Sequence, residues 1–194
     1  MLDFLKELDT ALLLFLNGLG APWLDTPMFM ISQKFFWLPL YLLLLALIVI
    51  RYRMRALIVM LFVLVLITLS DQITDHLKPL IMRPRPGHNP DITDLLHYVN
   101  GKKGSMFGFV SAHAANSTAL AVFMLLLLKD RFKWIVPVMV SYAILVSYSR
   151  IYLGVHYPGD VIGGMILGTF LAFLMRWVWQ KVYVRISPVS KNIH

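Results

Sequence analysis

The sequence predicts an all-α, polytopic membrane bundle of about six helices, and three observations predict it. Of 194 residues, 59% are hydrophobic and only 14% are charged, against roughly 25% charged in a soluble domain. The apolar residues gather in runs close to bilayer length. The junctions between those runs alternate between basic clusters and long polar loops. With a mean hydropathy of +0.72, the chain reads as one integral membrane domain over residues 1–194.

Residues 1–34 come first and are interrupted by Gly18, Gly20, Pro22 and Pro27. Two short helices, in the interface or as a hairpin, fit this stretch better than one straight span. The opening MLDFLKELDT lacks the basic region and small-residue cleavage site of a signal peptide, so no cleaved leader is expected. Core spans are then expected within residues 35–184. Four runs are clear, at 35–50, 56–70, 114–128 and 134–149, and a glycine-rich fifth follows at 161–175.

Loop charge sets the orientation. Arg51, Arg53 and Arg55 form one turn, Lys129, Arg131 and Lys133 another, and Arg176, Lys181, Arg185 and Lys191 follow the last span. Five spans put all three clusters on one side, which the positive-inside rule makes cytoplasmic. This bias explains the net charge of +8 without a nucleic-acid partner. Trp37, Trp134, Trp177 and Trp179 fall near span ends, as an aromatic belt requires. Residues 71–113 and 150–160 then share the outer face.

That face carries the chemistry. DQITDHLKPLIMRPRPGHNPD, FGFVSAHAANS and SRIYLGVHYPGD together supply Lys78, Arg83, Arg85, Ser111, His113, Arg150, His156 and Asp160. Arginine suits bidentate phosphate recognition and lysine a point-charge contact. Arg150 follows directly on an apolar helix, a depth at which arginine faces a polar cavity or an anion. Ser111 precedes a helix whose free N–H groups favour an anion. A tetrahedral oxyanion is the natural ligand. His156 is suited to attack phosphorus, Asp160 to hold its tautomer, and His113 to protonate the leaving oxygen. Cysteine is absent, which excludes disulfides, thiol catalysis and thiolate metal sites.

These residues match a family pattern. The sequence resembles the type 2 phosphatidic acid phosphatase (PAP2) superfamily, which includes the vanadium haloperoxidases and glucose-6-phosphatase. Its first motif, Lys, six residues, Arg-Pro, appears as KPLIMRPRP. Its third, Ser-Arg, five residues, His, three residues, Asp, is met at every fixed position by SRIYLGVHYPGD. Its second, Pro-Ser-Gly-His, is replaced by VSAH, with Val110 for proline and Ala112 for glycine. The resemblance covers roughly residues 67–174 and implies a PAP2/haloperoxidase-like core. It also implies His156 as nucleophile of a phosphohistidine intermediate, Asp160 as its orienting partner and His113 as acid. Lys78, Arg85, Ser111, Ala112 and Arg150 would hold the phosphoryl oxygens. Arg83 matches no fixed position and is assigned only to headgroup contact.

The expected activity is therefore metal- and cofactor-independent hydrolysis of a lipid phosphate at the outer face of the inner membrane. Undecaprenyl pyrophosphate is the favoured substrate, with phosphatidylglycerophosphate, phosphatidic acid and lipid A as alternatives. Loop 87–108 is expected to roof the pocket. A transporter is the rival from another class, but no internal repeat supports it and the polar residues gather at one face. A metal-dependent hydrolase built on Asp71, Asp75 and His76 lacks a complete ligand set.

Overall fold

The computed structural model describes residues 2–101 and 103–186; Lys191 of the last basic cluster lies outside them. The two short N-terminal helices are present, as α1 (Leu2–Asn17) and α2 (Pro22–Ile31). Pro22 starts α2 at a position where its missing N–H is not needed. A 3-10 turn, Lys34–Trp37, leads into α3 (Leu38–Tyr52), and the Arg53–Arg55 turn reverses the chain into α4 (Ala56–Ile81). The loop region that follows runs to Ser111. It precedes α5 (Ala112–Leu128), α6 (Ile135–Tyr152) and α7 (Pro158–Ile186).

Among the described residues, three helical segments are long and apolar enough to cross a membrane: Lys34–Ile81, Ile135–Tyr152 and Pro158–Arg185. The first holds both α3 and α4, and α5 is an apolar helix of 17 residues. Helices α4 and α7 continue well beyond the apolar runs that announce them. In α4 the ladder carries on through DQITDHLKPLI, because residues such as Gln, His and Lys cost little in a helix once it is nucleated.

The bundle is organised around α5, which packs most extensively on α7 and also against α6 and α4. Its alanines make this possible: Ala114, Ala115 and Ala119 are fully buried. Opposite them stand Gly164 and Gly168. A Cβ on Gly168 would collide with the backbone of Ala115, and one on Gly164 with that of Ser111. Small residues four apart on both helices let the backbones touch, as in close membrane helix pairs. The glycines of the fifth run are thus packing residues. They fix the start of α5 beside the start of α7.

Phe4, Phe15, Leu57, Leu64, Ile166 and Phe170 point outward and are exposed, as the lipid-facing surface of a membrane bundle requires. Trp179 departs from expectation. It is 1% exposed and packs edge-on against Tyr52 and Phe62, so it belongs to the core and not to an interfacial belt. Its position in the interior follows from α7 continuing past residue 175, which turns this residue back toward the α3–α4 side.

Candidate active site

Three loop and helix-end segments meet at one end of the bundle. Ser111 is the N-cap of α5, and its Oγ accepts from the Ala114 N–H at 3.5 Å. Its own N–H donates to the Asp160 carbonyl at 2.9 Å, which ties the start of α5 to the first turn of α7. Pro158 begins α7 and Asp160 falls in its first turn, as the sequence predicts. The Asp160 carboxylate is fully buried and faces His156 Nδ1 at 3.4 Å through Oδ2. The Tyr157 N–H donates to the same oxygen at 3.1 Å. Gly108 packs close against the Nδ1 edge of the ring. Among the described residues nothing engages its Nε2.

The cations converge on that ring. Burial holds the His156 imidazole well below its usual range, and the fields of Arg85, Arg150 and Lys78 push it further down. Neutral His156 with a free Nε2 is the form competent to attack an electrophile. Arg85 is 9% exposed, and its Nε donates to the Phe107 carbonyl at 3.1 Å. Burial lowers its guanidinium too, against the opposing charge of Asp160. Arg150 Nη1 donates to Ser32 Oγ at the end of α2, while its Nε is buried and has no partner among the described residues. Lys78 lies in the last turn of α4 and pairs with Asp75 at 2.7 Å. His113 and Ala112 open α5 and line a cavity beside the cluster; Arg150, His156, Arg85 and Lys78 all act on His113 electrostatically.

Arg83 is a correction. Its side chain turns inward and not toward a headgroup, pairing with Asp160 Oδ1 at 2.8 Å and with Asp9 Oδ2 at 2.6 Å. The other Asp9 oxygen accepts from the Gly159 N–H at 2.7 Å. The reason is local: Pro84 and Phe107 form an isolated antiparallel bridge, with Gly108 N–H to Arg83 O at 3.0 Å and Arg85 N–H to Met106 O at 2.9 Å. Arg83 and Arg85 flank Pro84 and point to different ends of the site. Loop 87–108 does return over the site through Gly104 and Gly108. A Cβ on Gly108 would press on Arg85, Asp160 and His156, so glycine is required by the close approach.

Sequence reasoning missed the N-terminal contribution. Besides Asp9, Asn17 Nδ2 donates to the carbonyls of Ile151 and Tyr152, and its Oδ1 accepts from the His97 N–H at 2.7 Å. Asp25 accepts from the Tyr152 hydroxyl and from His97 Nε2, each at 2.7 Å. The available signal was Asp9, Asn17 and Asp25 themselves, polar residues set among leucines in helices that approach a membrane surface. The proposed metal trio disperses: Asp71 bonds Asn116, Asp75 bonds Lys78 and His76 bonds the Gln72 carbonyl.

Residues 56–183 match the model of the PAP2 superfamily. The chain belongs to that superfamily. It is a membrane phosphatase. It is 40% identical to the lipid A 4'-phosphatase of Bacteroides thetaiotaomicron, over 96% of this chain and 84% of the relative. It is 32% identical to the lipid A 4'-phosphatase of Porphyromonas gingivalis, over 94% of this chain and 76% of that one. The crystal structure of a transmembrane PAP2-type phosphatidylglycerolphosphate phosphatase from Bacillus subtilis superimposes with a TM-score of 0.70 at 27% identity. That likeness covers 92% of this chain and 87% of the other. All three motifs of the family pattern lie inside the matched region.

Proposed function

We propose that this phosphatase removes a phosphate monoester from a lipid A-type glycolipid at the outer face of the inner membrane, through a phosphohistidine. His156 Nε2 attacks phosphorus, the bond from phosphorus to the leaving oxygen breaks, and His113 gives that oxygen a proton. Water then attacks phosphorus while His113 takes its proton, the bond from phosphorus to Nε2 breaks, and inorganic phosphate leaves with His156 restored. Asp160 holds the Nδ1 side of the ring so that Nε2 stays the nucleophile. Arg85, Arg150, Lys78 and the N–H groups at Ser111 and Ala112 neutralise the phosphoryl oxygens.

The observation that carries the reading is the set of cations around a neutral His156, with the buried Arg150 Nε left without a partner among the described residues. A buried guanidinium donor with no acceptor is costly unless a ligand supplies one, and a phosphoryl oxygen does. These cations also give the electrostatic stabilisation a metal would otherwise provide, so EDTA is expected to leave the rate unchanged. The basic turns at 51–55 and 129–133 support a cytoplasmic opposite face. The substrate choice leans on the two relatives matched over nearly the whole chain. The undecaprenyl-diphosphatase of Sulfolobus acidocaldarius is matched over only 40% of it. Undecaprenyl pyrophosphate, favoured from the sequence alone, becomes the second candidate.

The test is phosphate release by the detergent-solubilised protein, with EDTA, from lipid A, undecaprenyl pyrophosphate, phosphatidylglycerophosphate and phosphatidic acid. His156→Ala is run beside it. Preferred release from lipid A, abolished in the variant, is the expected result. Wild-type rates in His156→Ala would remove the nucleophile, and preference for another lipid would remove the substrate.

A further inference from the structure

A cavity of about 640 Å³ runs from His113 into the bundle, walled by α3, α4 and α5. Much of its wall is apolar, with Leu44, Ile48, Met60 and Met124, which suits acyl chains; Gln33 and Lys34 also line it. Next to His113 it contains a pair that the phosphate chemistry does not use. Asp71 of α4 and Asn116 of α5 both line it, and Asn116 Nδ2 donates to Asp71 Oδ1 at 2.6 Å. Among the described residues this is the one hydrogen bond of the Asp71 side chain. Asn116 Oδ1 is buried with no partner among the described residues.

A carboxylate within a membrane-spanning segment, held by one neutral amide, is expensive and marks function by default. Its position says which function. Asn116 follows His113 by three residues, so it shares that face of α5 about 4.5 Å further along the axis. If His113 protonates the leaving oxygen, the atoms bonded to that oxygen lie toward Asn116 and Asp71. With one Asn116 N–H committed to Asp71 Oδ1, the acceptors left at the pair are Asn116 Oδ1 and the second Asp71 oxygen. A leaving group that meets it needs N–H or O–H donors and no negative charge.

We propose that Asp71 and Asn116 form the subsite for the departing alcohol, and that this alcohol is a sugar carrying hydroxyl or amide N–H groups. The inference rests on the glycolipid reading above and deepens it. A prenyl pyrophosphate would place an anionic leaving phosphate against Asp71 and offer it no donor. The diacylglycerol released from phosphatidic acid likewise leaves Asn116 Oδ1 unmet. Sites built to hydrogen-bond a substrate group discriminate strongly against analogues that lack it, because their own polar atoms are then left unpaired.

The experiment measures kcat/KM for lipid A and for phosphatidic acid with wild type, Asp71→Asn and Asn116→Leu. Both substrates meet the same preparation, so the ratio of the two values is independent of the folded fraction. The ratio is expected to fall about 10- to 100-fold in Asp71→Asn and about tenfold in Asn116→Leu, on the scale of hydrogen bonds to charged and neutral acceptors. Ratios within threefold of wild type in both variants would overturn the subsite while leaving a lipid A phosphatase standing. A wild-type enzyme that ignores lipid A and turns over undecaprenyl pyrophosphate would overturn the subsite and the glycolipid reading together.

Discussion

Arg83→Gln isolates what holds the nucleophile's partner. Asp160 is fully buried, and two kinds of donor compensate its charge: the Tyr157 N–H and the Arg83 guanidinium at 2.8 Å. Gln keeps N–H donors but is two bonds shorter than the guanidinium's Nη atoms and removes the cation. Breaking a buried ion pair from one side costs about 3–5 kcal/mol. The Arg83 side chain is 24% exposed, so water softens the loss and the low end, about 3 kcal/mol, applies. At about 1.4 kcal/mol per factor of ten, that is roughly a hundredfold if all of it falls on the transition state. Arg83 is held by two protein carboxylates and the Tyr157 ring, so the loss belongs in kcat, with KM nearly constant. Saturation curves of phosphate release, with thermal unfolding of the same sample, read both quantities. Asp9→Asn keeps the Gly159 contact geometry and should lose about tenfold. A kcat for Arg83→Gln within threefold of wild type, in a folded protein, would show that Asp160 does not depend on Arg83.

Other expectations are more local. Arg150→Lys keeps charge but loses the planar fork, including the unpartnered Nε, so kcat/KM should drop roughly a hundredfold; Lys equal to Arg would remove the clamp. For pH, burial and then Arg85, Arg150 and Lys78 depress His156, so the neutral nucleophile persists below the usual imidazole range near 6.5. The acid limb of kcat/KM assigned to it should lie below the usual imidazole range. Arg85→Gln removes the largest charge contribution, raises the His156 pKa and moves that limb toward higher pH; a limb that stays in place would contradict the field. Gly168→Val would drive a side chain into the Ala115 backbone. Overpacking of this kind costs about 1–3 kcal/mol, or a fall in Tm of roughly 3–10 °C. An unchanged Tm would mean that α5 and α7 are not in close contact.

Much of this was legible in the sequence, and the parts that were not have physical causes. The spans, the N-terminal helix pair and the cap at Ser111 follow from local pattern: apolar runs, Gly and Pro breaks, a serine before a helix. The spacing in SRIYLGVHYPGD brings His156 and Asp160 together because His156 lies two residues ahead of Pro158, where α7 starts, and Asp160 falls in the first turn of that helix. Helix ends were harder, since polar residues inside α4 and α7 look like loops until tertiary packing carries the helix through them. Arg83 and Arg85 are equivalent by composition. Only the bridge between Pro84 and Phe107 tells which one turns to Asp160 and which lies by His156, and such a long-range pairing leaves no local periodic signal.

The N-terminal contacts change what counts as the site. The family match begins at residue 56, yet Asp9, Asn17, Asp25 and Ser32 all precede it, and every one of them bonds the third motif or the segments that carry it. Asp9 reaches Gly159 and Arg83, Asn17 the carbonyls of Ile151 and Tyr152, Asp25 the Tyr152 hydroxyl, and Ser32 the Arg150 guanidinium. Four residues from one side hold the turn between α6 and α7, whose residues must keep His156 and Arg150 facing one phosphate. A loop at a membrane surface lacks the surrounding core that fixes such positions in a soluble enzyme, and α1 and α2 supply the missing wall. Positioning residues can therefore lie outside the motifs that define a family while the reacting groups stay within them.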